Sequence, residues 1–254
     1  MKTRRAWHYV TLDATGTLIR LAESPGQTYL RFWEAASDQS FSSSRRAALA
    51  AALTSQFPAE FSFQSRLRPN FGSNGVATSA FSWWRELVLN LMKRVGVADC
   101  IKVNAEQSER FTNQLYAHFA RPEAWKVFDD VRPTLEKLQT SGVSIGVISN
   151  FDERLEPLLI ELGLRSFFNV VTTSFGQPQM KPHASIFYST FQKLQHEDGD
   201  VKTSKFLHVG DHLIKDYEAA KAVGANALLI CRSCQEAKPL EMLDRIETLQ
   251  QILL

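Results

Sequence analysis

The sequence predicts an α/β fold, in which a parallel sheet covered by helices is interrupted by an all-helical unit. After Asp129, apolar runs without polar alternation, which are typical of buried parallel strands, alternate with amphipathic helical patterns. Between Ser24 and Trp125, by contrast, about 100 residues show helical periodicity and no convincing strand. A chain of 254 residues is long enough for one large domain or for a core with an inserted subdomain.

The strands of the sheet are predicted from short β-rich or apolar runs. The first is predicted at Tyr9–Leu12, and four more at 143–148, 167–172, 206–209 and 227–230. Helices are predicted between the later strands, at 131–141, 155–162, 185–194 and in a short segment that ends at Gly224. Because ligands of parallel sheets bind at the carboxyl ends of the strands, the residues that follow each strand are the first candidates for a site.

The interrupting unit is predicted to contain several helices. Ser24-Pro25 resembles an N-cap followed by proline at the first helical position, and Ser79 opens a helix that stops at Gly96. A weaker helix is predicted at 47–57, and residues 61–78 are predicted to form a long loop. Such a loop is usually functional or mobile in a compact unit, although a surface insertion of no consequence stays open.

Composition excludes several classes of function. The net charge of +2 gives no reason to expect a nucleic-acid partner, and no apolar run approaches the roughly 18 residues that a membrane span needs. The basic N-terminus lacks the apolar segment of a signal peptide. With three cysteines there is no disulfide framework, so we expect a reducing, cytoplasmic location. Cys231 and Cys234 form a CxxC without a second pair, which favours two incidental thiols over a zinc or redox site.

Polar side chains cluster at the ends of the predicted strands. The segments that follow them are Asp13-Ala14-Thr15-Gly16-Thr17-Leu18, Ser149-Asn150, Lys181-Pro182 and Gly210-Asp211 with Asp216. Since these ends meet at one edge of a parallel sheet, three carboxylates, one lysine and two hydroxyls are predicted to converge there. His208, inside a strand, is predicted to be a core residue.

Three converging carboxylates predict a bound cation. Two carboxylates about 5 Å apart repel by roughly 3 kcal/mol at an effective dielectric constant near 20. One lysine does not offset three acids, so the cluster needs a cation or a raised pKa. Oxygen-only ligands are typical of magnesium, a hard ion that keeps several waters and bridges to phosphate.

These four segments resemble the signature motifs of the haloacid dehalogenase-like hydrolase superfamily. Pro69-Asn70-Phe71-Gly72, Trp83-Trp84, Ser149-Asn150-Phe151-Asp152 and Lys181-Pro182 look closer still to the group of haloacid dehalogenase-like hydrolase domain-containing protein 3, also called rhythmically expressed gene 2 proteins. The resemblance implies a Rossmann-like parallel core, here residues 1–20 and 122–254. It also implies an all-helical cap domain inserted after the first motif, here residues 21–121.

The resemblance also implies roles for the residues at the strand ends. Asp13 would be the nucleophile that forms an aspartyl-phosphate, while Thr17 and Ser149 would hydrogen-bond the transferred group. Lys181 would offset the charge between the nucleophile and the phosphate. Magnesium would be held by Asp13, the backbone carbonyl of Thr15, Asp211 and Asp216.

A small phosphorylated substrate is the expected partner. The helical unit is mildly basic, and Arg66, Arg68 and Asn70 in its predicted loop are our candidates for substrate contact. Asn150, next to Ser149 at the same strand end, is a further candidate.

Thr15 departs from the superfamily's pattern, because its phosphatases carry an aspartate there that protonates the leaving oxygen. General acid–base catalysis is typically worth about 10² to 10⁴ in rate, so ordinary alkyl phosphates are expected to react poorly. Two alternatives stay open. One is a catalytically weak pseudoenzyme that binds a phosphorylated ligand or a protein partner, and the other is carbon–halogen hydrolysis. True haloacid dehalogenases carry tyrosine at the position of Thr15 and lack the pair Asp211 and Asp216, which therefore favours phosphate.

Overall fold

The computed structural model describes residues 7–37, 39–73, 79–97, 105–195, 201–232 and 245–253. The chain divides into two compact units. One, here called the α/β unit, consists of Met1–Arg20 and Val127–Leu254, and the other, here called the helical unit, consists of Leu21–Lys126.

The secondary structure alternates as the sequence predicts outside the helical unit. The strands are β1 (Tyr9–Leu12), β2 (Ile19–Leu21), β3 (Trp125–Val127), β4 (Ser144–Ser149), β5 (Val170–Thr173), β6 (Phe206–Gly210), β7 (Asn226–Ile230) and β8 (Arg245–Ile246). The α-helices are α1 (Pro25–Ser37), α2 (Ser43–Leu67), α3 (Phe81–Val95), α4 (Ala105–His118), α5 (Val131–Thr140), α6 (Leu155–Glu161), α7 (Ala184–Gln195) and α8 (Ala219–Ala222). A π-helical turn, Leu213–Glu218, directly precedes α8. Among the described residues, no helix combines the length and apolarity needed to cross a bilayer.

Six strands form the central sheet in the order β5-β4-β1-β6-β7-β8, and its described pairings are all parallel. Strand β4 buries Ile145, Val147 and Ile148 completely. Because successive residues of a strand point to opposite faces, both faces of the sheet are covered there. The predicted α/β fold with a parallel sheet is therefore confirmed.

Aromatic packing holds α7 against the sheet. The ring of Phe206 on β6 stacks between Phe191 of α7 and Tyr9 of β1, with centroids 4.0 and 4.5 Å away. Leu194 of α7 lies so close to β4 that a Cβ atom on Gly146 would stand 2.8 Å from its Cδ1 atom. A side chain at position 146 would therefore force the side chain of Leu194 to shift.

Three short strands are not predicted from the sequence. Strands β2 and β3 have three residues each and form a separate sheet, while β8 has two and pairs with the end of β7. Segments of this length carry no readable periodicity. The predicted strand 167–172 also begins too early, because Arg165–Phe167 forms a 3₁₀ turn before β5.

In the helical unit, α1 packs on α2 and α4, and α3 packs on α2 and α4. Its centre is aromatic: Trp33 of α1 is fully buried and meets Phe111 of α4 edge to face, with ring centroids 5.3 Å apart. Helices α1 and α2 approach closely, because a Cβ atom on Gly26 would lie 2.0 Å from the carbonyl oxygen of Ala50. Only glycine permits that approach.

The predicted long loop at 61–78 is wrong over its first part. Helix α2 continues through Pro58 to Leu67, well beyond the predicted end at residue 57. A proline inside a helix costs about 3 kcal/mol in isolation, but the aromatic contacts made beyond it stabilise this helix. Phe61 packs against Phe57 and Trp83, with ring centroids 5.9 and 5.3 Å away. Residues 74–78 of the predicted loop lie outside the described residues.

Candidate active site

Asp13 directly follows β1, which pairs with β4 on one side and with β6 on the other. Its backbone N–H donates to the carbonyl oxygen of Val209, 2.9 Å away, so the register of β6 continues to this residue. The segments after β4 and β6, which begin with Asn150 and Asp211, therefore leave the sheet on either side of Asp13. Asp13, Asn150 and Asp211 therefore lie at the same edge of the sheet, as the strand-end rule predicts.

Lys181 bridges two of the acids. Its Nζ atom lies 2.7 Å from Oδ1 of Asp13, 2.6 Å from Oδ1 of Asp216 and 2.7 Å from the carbonyl oxygen of Ile148. The three donors of the ammonium group are thus matched by three acceptors. Because the side chain is 2% exposed, water does not screen these contacts appreciably.

Asn150 fixes the backbone of Lys181. Its amide oxygen accepts from the N–H of Lys181 and its amide nitrogen donates to the carbonyl of the same residue, both at 2.8 Å. Both kinds of polar atom in the Asn150 side chain are therefore engaged. Its expected role in substrate contact stays a prediction, and its observed contacts are with Lys181.

Asp216 is held on both carboxylate oxygens. Besides Lys181, Oδ1 lies 3.3 Å from Nε2 of His208, and Oδ2 accepts from the backbone N–H of His212 at 3.0 Å. Since a carboxylate only accepts, Nε2 of His208 donates, and Nδ1 faces the hydroxyl of Thr11 at 2.9 Å. His208 is fully buried in β6, as a core residue should be, but its link to Asp216 was not predicted.

Asp13, Asp211 and Asp216 each offer a carboxylate oxygen, and these oxygens lie within 4.8 Å of one another. Asp211 packs against the backbone of Gly16, where a Cβ atom would stand 2.1 Å from its Oδ2 atom and where φ is +83°. Part of the Asp211 side chain is exposed, yet burial of its carboxyl group, with the charges of Asp13 and Asp216, raises its pKa to about 7. Three oxygen donors with one acid this reluctant to ionise fit a hard divalent cation such as magnesium.

Charge coupling also shifts the other groups of the cluster. Burial raises the pKa of Asp13, and the charge of Lys181 offsets this only in part. Burial would also raise the pKa of Asp216, but the charge of Lys181 and the hydrogen bond from His208 outweigh it and lower the pKa. For Lys181, burial is outweighed by the charges of Asp13 and Asp216, so its pKa is raised. Lys181 is therefore a permanent cation beside the acids.

The loop after Asp13 is closed by hydrogen bonds to a single carbonyl, that of Ala14. The oxygen of Ala14 accepts from the N–H groups of Thr17, Leu18 and Ile19 at 3.3, 2.8 and 3.0 Å. Thr17 is fully buried, and within the described part of the chain its hydroxyl has no hydrogen-bond partner. This orphaned donor suits an acceptor oxygen on a bound group. Thr15 is exposed on the same loop, and Ser149 is buried at the end of β4.

The remaining predicted residues belong to the helical unit. Arg66 is exposed on α2 and donates to the hydroxyl of Ser62 at 2.8 Å. Arg68 pairs with Glu86 of α3 at 2.7 Å. Asn70 is buried and has a φ of 52°, a left-handed conformation that asparagine tolerates. Their predicted role in substrate contact stays a prediction.

Sequence reasoning missed Arg232, which follows β7 at the same edge of the sheet. Its guanidinium group donates to the carbonyl oxygen of Thr17 through Nε at 3.1 Å and Nη2 at 2.6 Å. The strand-end rule would have found this residue, had it been applied to the last predicted strand. The two cysteines of the CxxC follow the same strand; Cys231 lies among the described residues and Cys234 outside them.

Comparison with known proteins gives one family. The profile of haloacid dehalogenase-like hydrolases matches residues 8–224. The human haloacid dehalogenase-like hydrolase domain-containing protein 3 is 34% identical over 229 residues, which cover 87% of this chain and 80% of that protein.

Solved structures give the same fold. A haloacid dehalogenase-superfamily (HAD) phosphatase from Thermococcus onnurineus superposes with a TM-score of 0.58 at 22% identity, covering 96% of this chain and 95% of that one. A 2-haloacid dehalogenase from Pseudomonas syringae pv. Tomato DC3000 superposes with a TM-score of 0.61 at 20% identity, covering 97% and 96%. At these identities the two structures support the fold and do not separate the two activities.

Proposed function

The chain belongs to the haloacid dehalogenase-like hydrolase family, and from this premise we propose that it hydrolyses a small phosphorylated substrate through an aspartyl-phosphate on Asp13. The observation that carries the proposal is the bridge of buried Lys181 between Asp13 and Asp216. It places a fixed positive charge at Oδ1 of an acid that stands at a strand end. A nucleophile beside a permanent cation is what a phosphate dianion requires in order to approach an anionic carboxylate.

Magnesium is the proposed cofactor. Asp13, Asp211, Asp216 and the backbone carbonyl of Thr15 would hold it. The spacing of the three carboxylates and the raised pKa of Asp211 support the three acids as ligands. The bound ion would neutralise charge on the phosphate oxygens. Asp216 accepts a hydrogen bond on each of its oxygens, from Lys181 and from the backbone of His212. We therefore assign it a second role, which is to orient Lys181.

In the first half of the reaction, a carboxylate oxygen of Asp13 attacks phosphorus and the substrate's bridging oxygen leaves with the electron pair of the P–O bond. Thr17 and Ser149 donate hydrogen bonds to the non-bridging oxygens, for which the orphaned Thr17 hydroxyl is suited. Lys181 offsets the charge between nucleophile and phosphate. In the second half, water attacks the aspartyl-phosphate, which releases inorganic phosphate and restores the carboxylate.

Thr15 limits the substrates that this site handles well. A threonine cannot protonate a leaving oxygen, so the oxygen must depart as an anion or take its proton from solvent. Aryl and acyl phosphates give stable anions, whereas sugar phosphates give alkoxides. We therefore expect substrates with good leaving groups to react fastest.

Specificity is assigned to the helical unit, which we propose acts as a cap. Arg66, Arg68 and Asn70 remain its candidates for substrate contact. Arg68 is half exposed and paired to Glu86, whose pKa is lowered, first by a hydrogen bond from Gln64 and then by Arg68. A substrate anion would have to compete with Glu86 for this guanidinium group.

The test is a panel of metabolite phosphates, with an aryl phosphate as reference, assayed for inorganic phosphate with and without Mg²⁺. The proposal expects turnover that requires Mg²⁺ and disappears in Asp13→Asn, which keeps the shape of the side chain but is a poor nucleophile. Binding of phosphorylated ligands without turnover would support the pseudoenzyme that the absent acid at Thr15 allows. Halide release from a 2-haloacid, assayed in parallel and independent of Mg²⁺, would support a dehalogenase. Either result contradicts the proposal.

A further inference from the structure

Arg232 contacts three residues in two separate segments of the α/β unit. Two of its nitrogen atoms donate to the carbonyl oxygen of Thr17, and Nη1 donates to Oδ1 of Asp130 at 2.9 Å. The guanidinium carbon also lies 3.9 Å from the centre of the Phe128 ring, within the range of a cation–π contact. These contacts hold the planar group from its edge and its face, and so fix its orientation.

The carbonyl of Thr17 is held by a residue from outside the loop after Asp13, here called the catalytic loop. The N–H groups of residues 17–19 all converge on the oxygen of Ala14, which fixes the inner side of the turn. Arg232 holds the outer side through the Thr17 carbonyl. A threonine whose backbone is fixed on both sides has a fixed Cα–Cβ direction, and its side chain then has one torsion to adjust.

We infer that Arg232 is a positioning residue: it holds the carbonyl of Thr17 so that the orphaned Thr17 hydroxyl points at the transferred phosphoryl group. This inference rests on the proposed function, because it needs a phosphoryl group for Thr17 to contact. Arg232 itself does not touch the substrate. It acts through the backbone of the one residue in the loop whose buried hydroxyl has no partner among the described residues.

Asp130 links Arg232 to the segment that begins at Leu249. Its other oxygen, Oδ2, accepts from the backbone N–H of Leu249 at 2.7 Å, at the start of the 3₁₀ turn Leu249–Leu253. The last turn of the described chain is thereby joined to the catalytic loop through two charged side chains. Asp130 orients Arg232 and does not reach Thr17.

A purely structural ion pair would show the same contacts, so the test must separate the two roles. The side chains of Arg232 and Asp130 are 13% and 11% exposed, and removing one charge would leave the other nearly buried and unpaired. Arg232→Lys avoids this, because lysine keeps the charge beside Asp130. Lysine lacks the planar fork that serves Thr17 and Asp130 together.

Arg132 offers a matched control. Its guanidinium group also donates to two backbone carbonyls, those of Leu162 and of Gly163, the latter at 3.1 Å. It lies on α5, and its two acceptors lie at the end of α6 and not in the loop after Asp13. Arg132→Lys therefore reports the effect of replacing an exposed arginine that bonds two backbone carbonyls.

The experiment is a double-mutant cycle on the full chain with 4-nitrophenyl phosphate and Mg²⁺. It compares wild type, Arg232→Lys, Thr17→Val, the double variant and Arg132→Lys, with melting temperature and vanadate affinity measured alongside. Misplacing a catalytic group by about 1 Å can lower the rate about 10²-fold. Arg232→Lys should therefore lower kcat by roughly tenfold to a hundredfold, with a smaller change in KM. Vanadate, which mimics the transferred group, should also bind more weakly to Arg232→Lys. Arg132→Lys should leave kcat and vanadate affinity unchanged.

The decisive result is the double variant. If Arg232 acts through the Thr17 hydroxyl, Thr17→Val with Arg232→Lys should be no slower than Thr17→Val alone. If the kcat losses of the two single variants multiply in the double variant, or if Arg232→Lys keeps full kcat, the inference is overturned and the proposed function stays intact. A wild-type protein with neither turnover nor vanadate binding would overturn the proposed function itself and this inference with it.

Discussion

The side-chain amide of Asn150 closes two hydrogen bonds, each 2.8 Å long, on the backbone N–H and C=O of a single residue, Lys181. The two residues are 31 positions apart in the chain and follow different strands. The pair sets where the Lys181 side chain begins, and the ammonium group at its other end meets Asp13 and Asp216. The position of the cation in the site therefore depends on an uncharged amide.

Asn150→Ala should lower turnover by roughly tenfold to a hundredfold, because the backbone of Lys181 loses the two hydrogen bonds that fix it. The free energy of unfolding should fall by about 1–3 kcal/mol, since backbone groups lose their partners. Asn226→Ala is the matched control: its amide also bonds two backbone carbonyls, those of Ser204 and Phe206. The comparison uses steady-state kinetics and denaturant unfolding. Equal turnover in the two variants would contradict a positioning role for Asn150.

Millimolar Mg²⁺ should raise the melting temperature, because a ligand that binds only the folded state stabilises it by mass action. Asp211→Asn should remove most of this rise, whereas Glu161→Gln, which changes an exposed acid at the end of α6, should retain it. The measurement is a thermal melt of each protein with and without Mg²⁺. An unchanged wild-type melting curve would refute the metal site.

Without metal, Asp211 should make the fold less stable as the pH rises from about 4 to 7. Its pKa in the folded state is about 7, against 3.8 as the ordinary value, so the folded state keeps a proton that the unfolded chain has released. The stabilisation from this group is therefore fully present below the unfolded pKa of 3.8 and is lost as the pH rises to the folded pKa of about 7. Melting temperatures in chelator should show wild type falling relative to Asp211→Asn across this window. A difference independent of pH would contradict the raised pKa.

Thr15 should make the rate depend steeply on the leaving group. An aryl phosphate departs as a stable anion, whereas a sugar phosphate departs as an alkoxide and is slowed most. Thr15→Asp should flatten this dependence and raise alkyl phosphate turnover by up to about 10², unless the new carboxylate stays ionised in the acidic cluster. The measurement is a leaving-group series on both proteins at one Mg²⁺ concentration. Equal rates for alkyl and aryl phosphates in the native protein would mean that another residue supplies the proton.

The parallel sheet and the positions of Asp13, Lys181 and Asp211 could be predicted from sequence because each depends on local pattern. Apolar runs mark buried strands, and the strand-end rule converts their ends into one edge. The extension of α2 through Pro58 could not be predicted, since it depends on packing between Phe61 and Trp83 on different helices. Local preference argues against a helix there, and tertiary contacts override it.

The supporting contacts of the site were equally beyond the sequence. His208 reads as one more core residue of a buried strand, and its bond to Asp216 exists because the π-helical turn after β6 brings that acid back against the strand. Arg232 could have been found at a strand end, but its partner is a backbone carbonyl, which leaves no mark on side-chain pattern. Sequence thus predicts the groups that meet, and the structure adds what holds them.

The claim on which the account depends is a covalent phosphoryl group on Asp13. During turnover of an aryl phosphate with Mg²⁺, the protein is quenched with borohydride, which reduces an acyl phosphate to the alcohol and leaves free carboxylates unchanged. Peptide mapping by mass spectrometry should then find homoserine in place of Asp13, and only when substrate is present. Continued turnover with Asp13 unreduced, or reduction at another acid, would contradict the account.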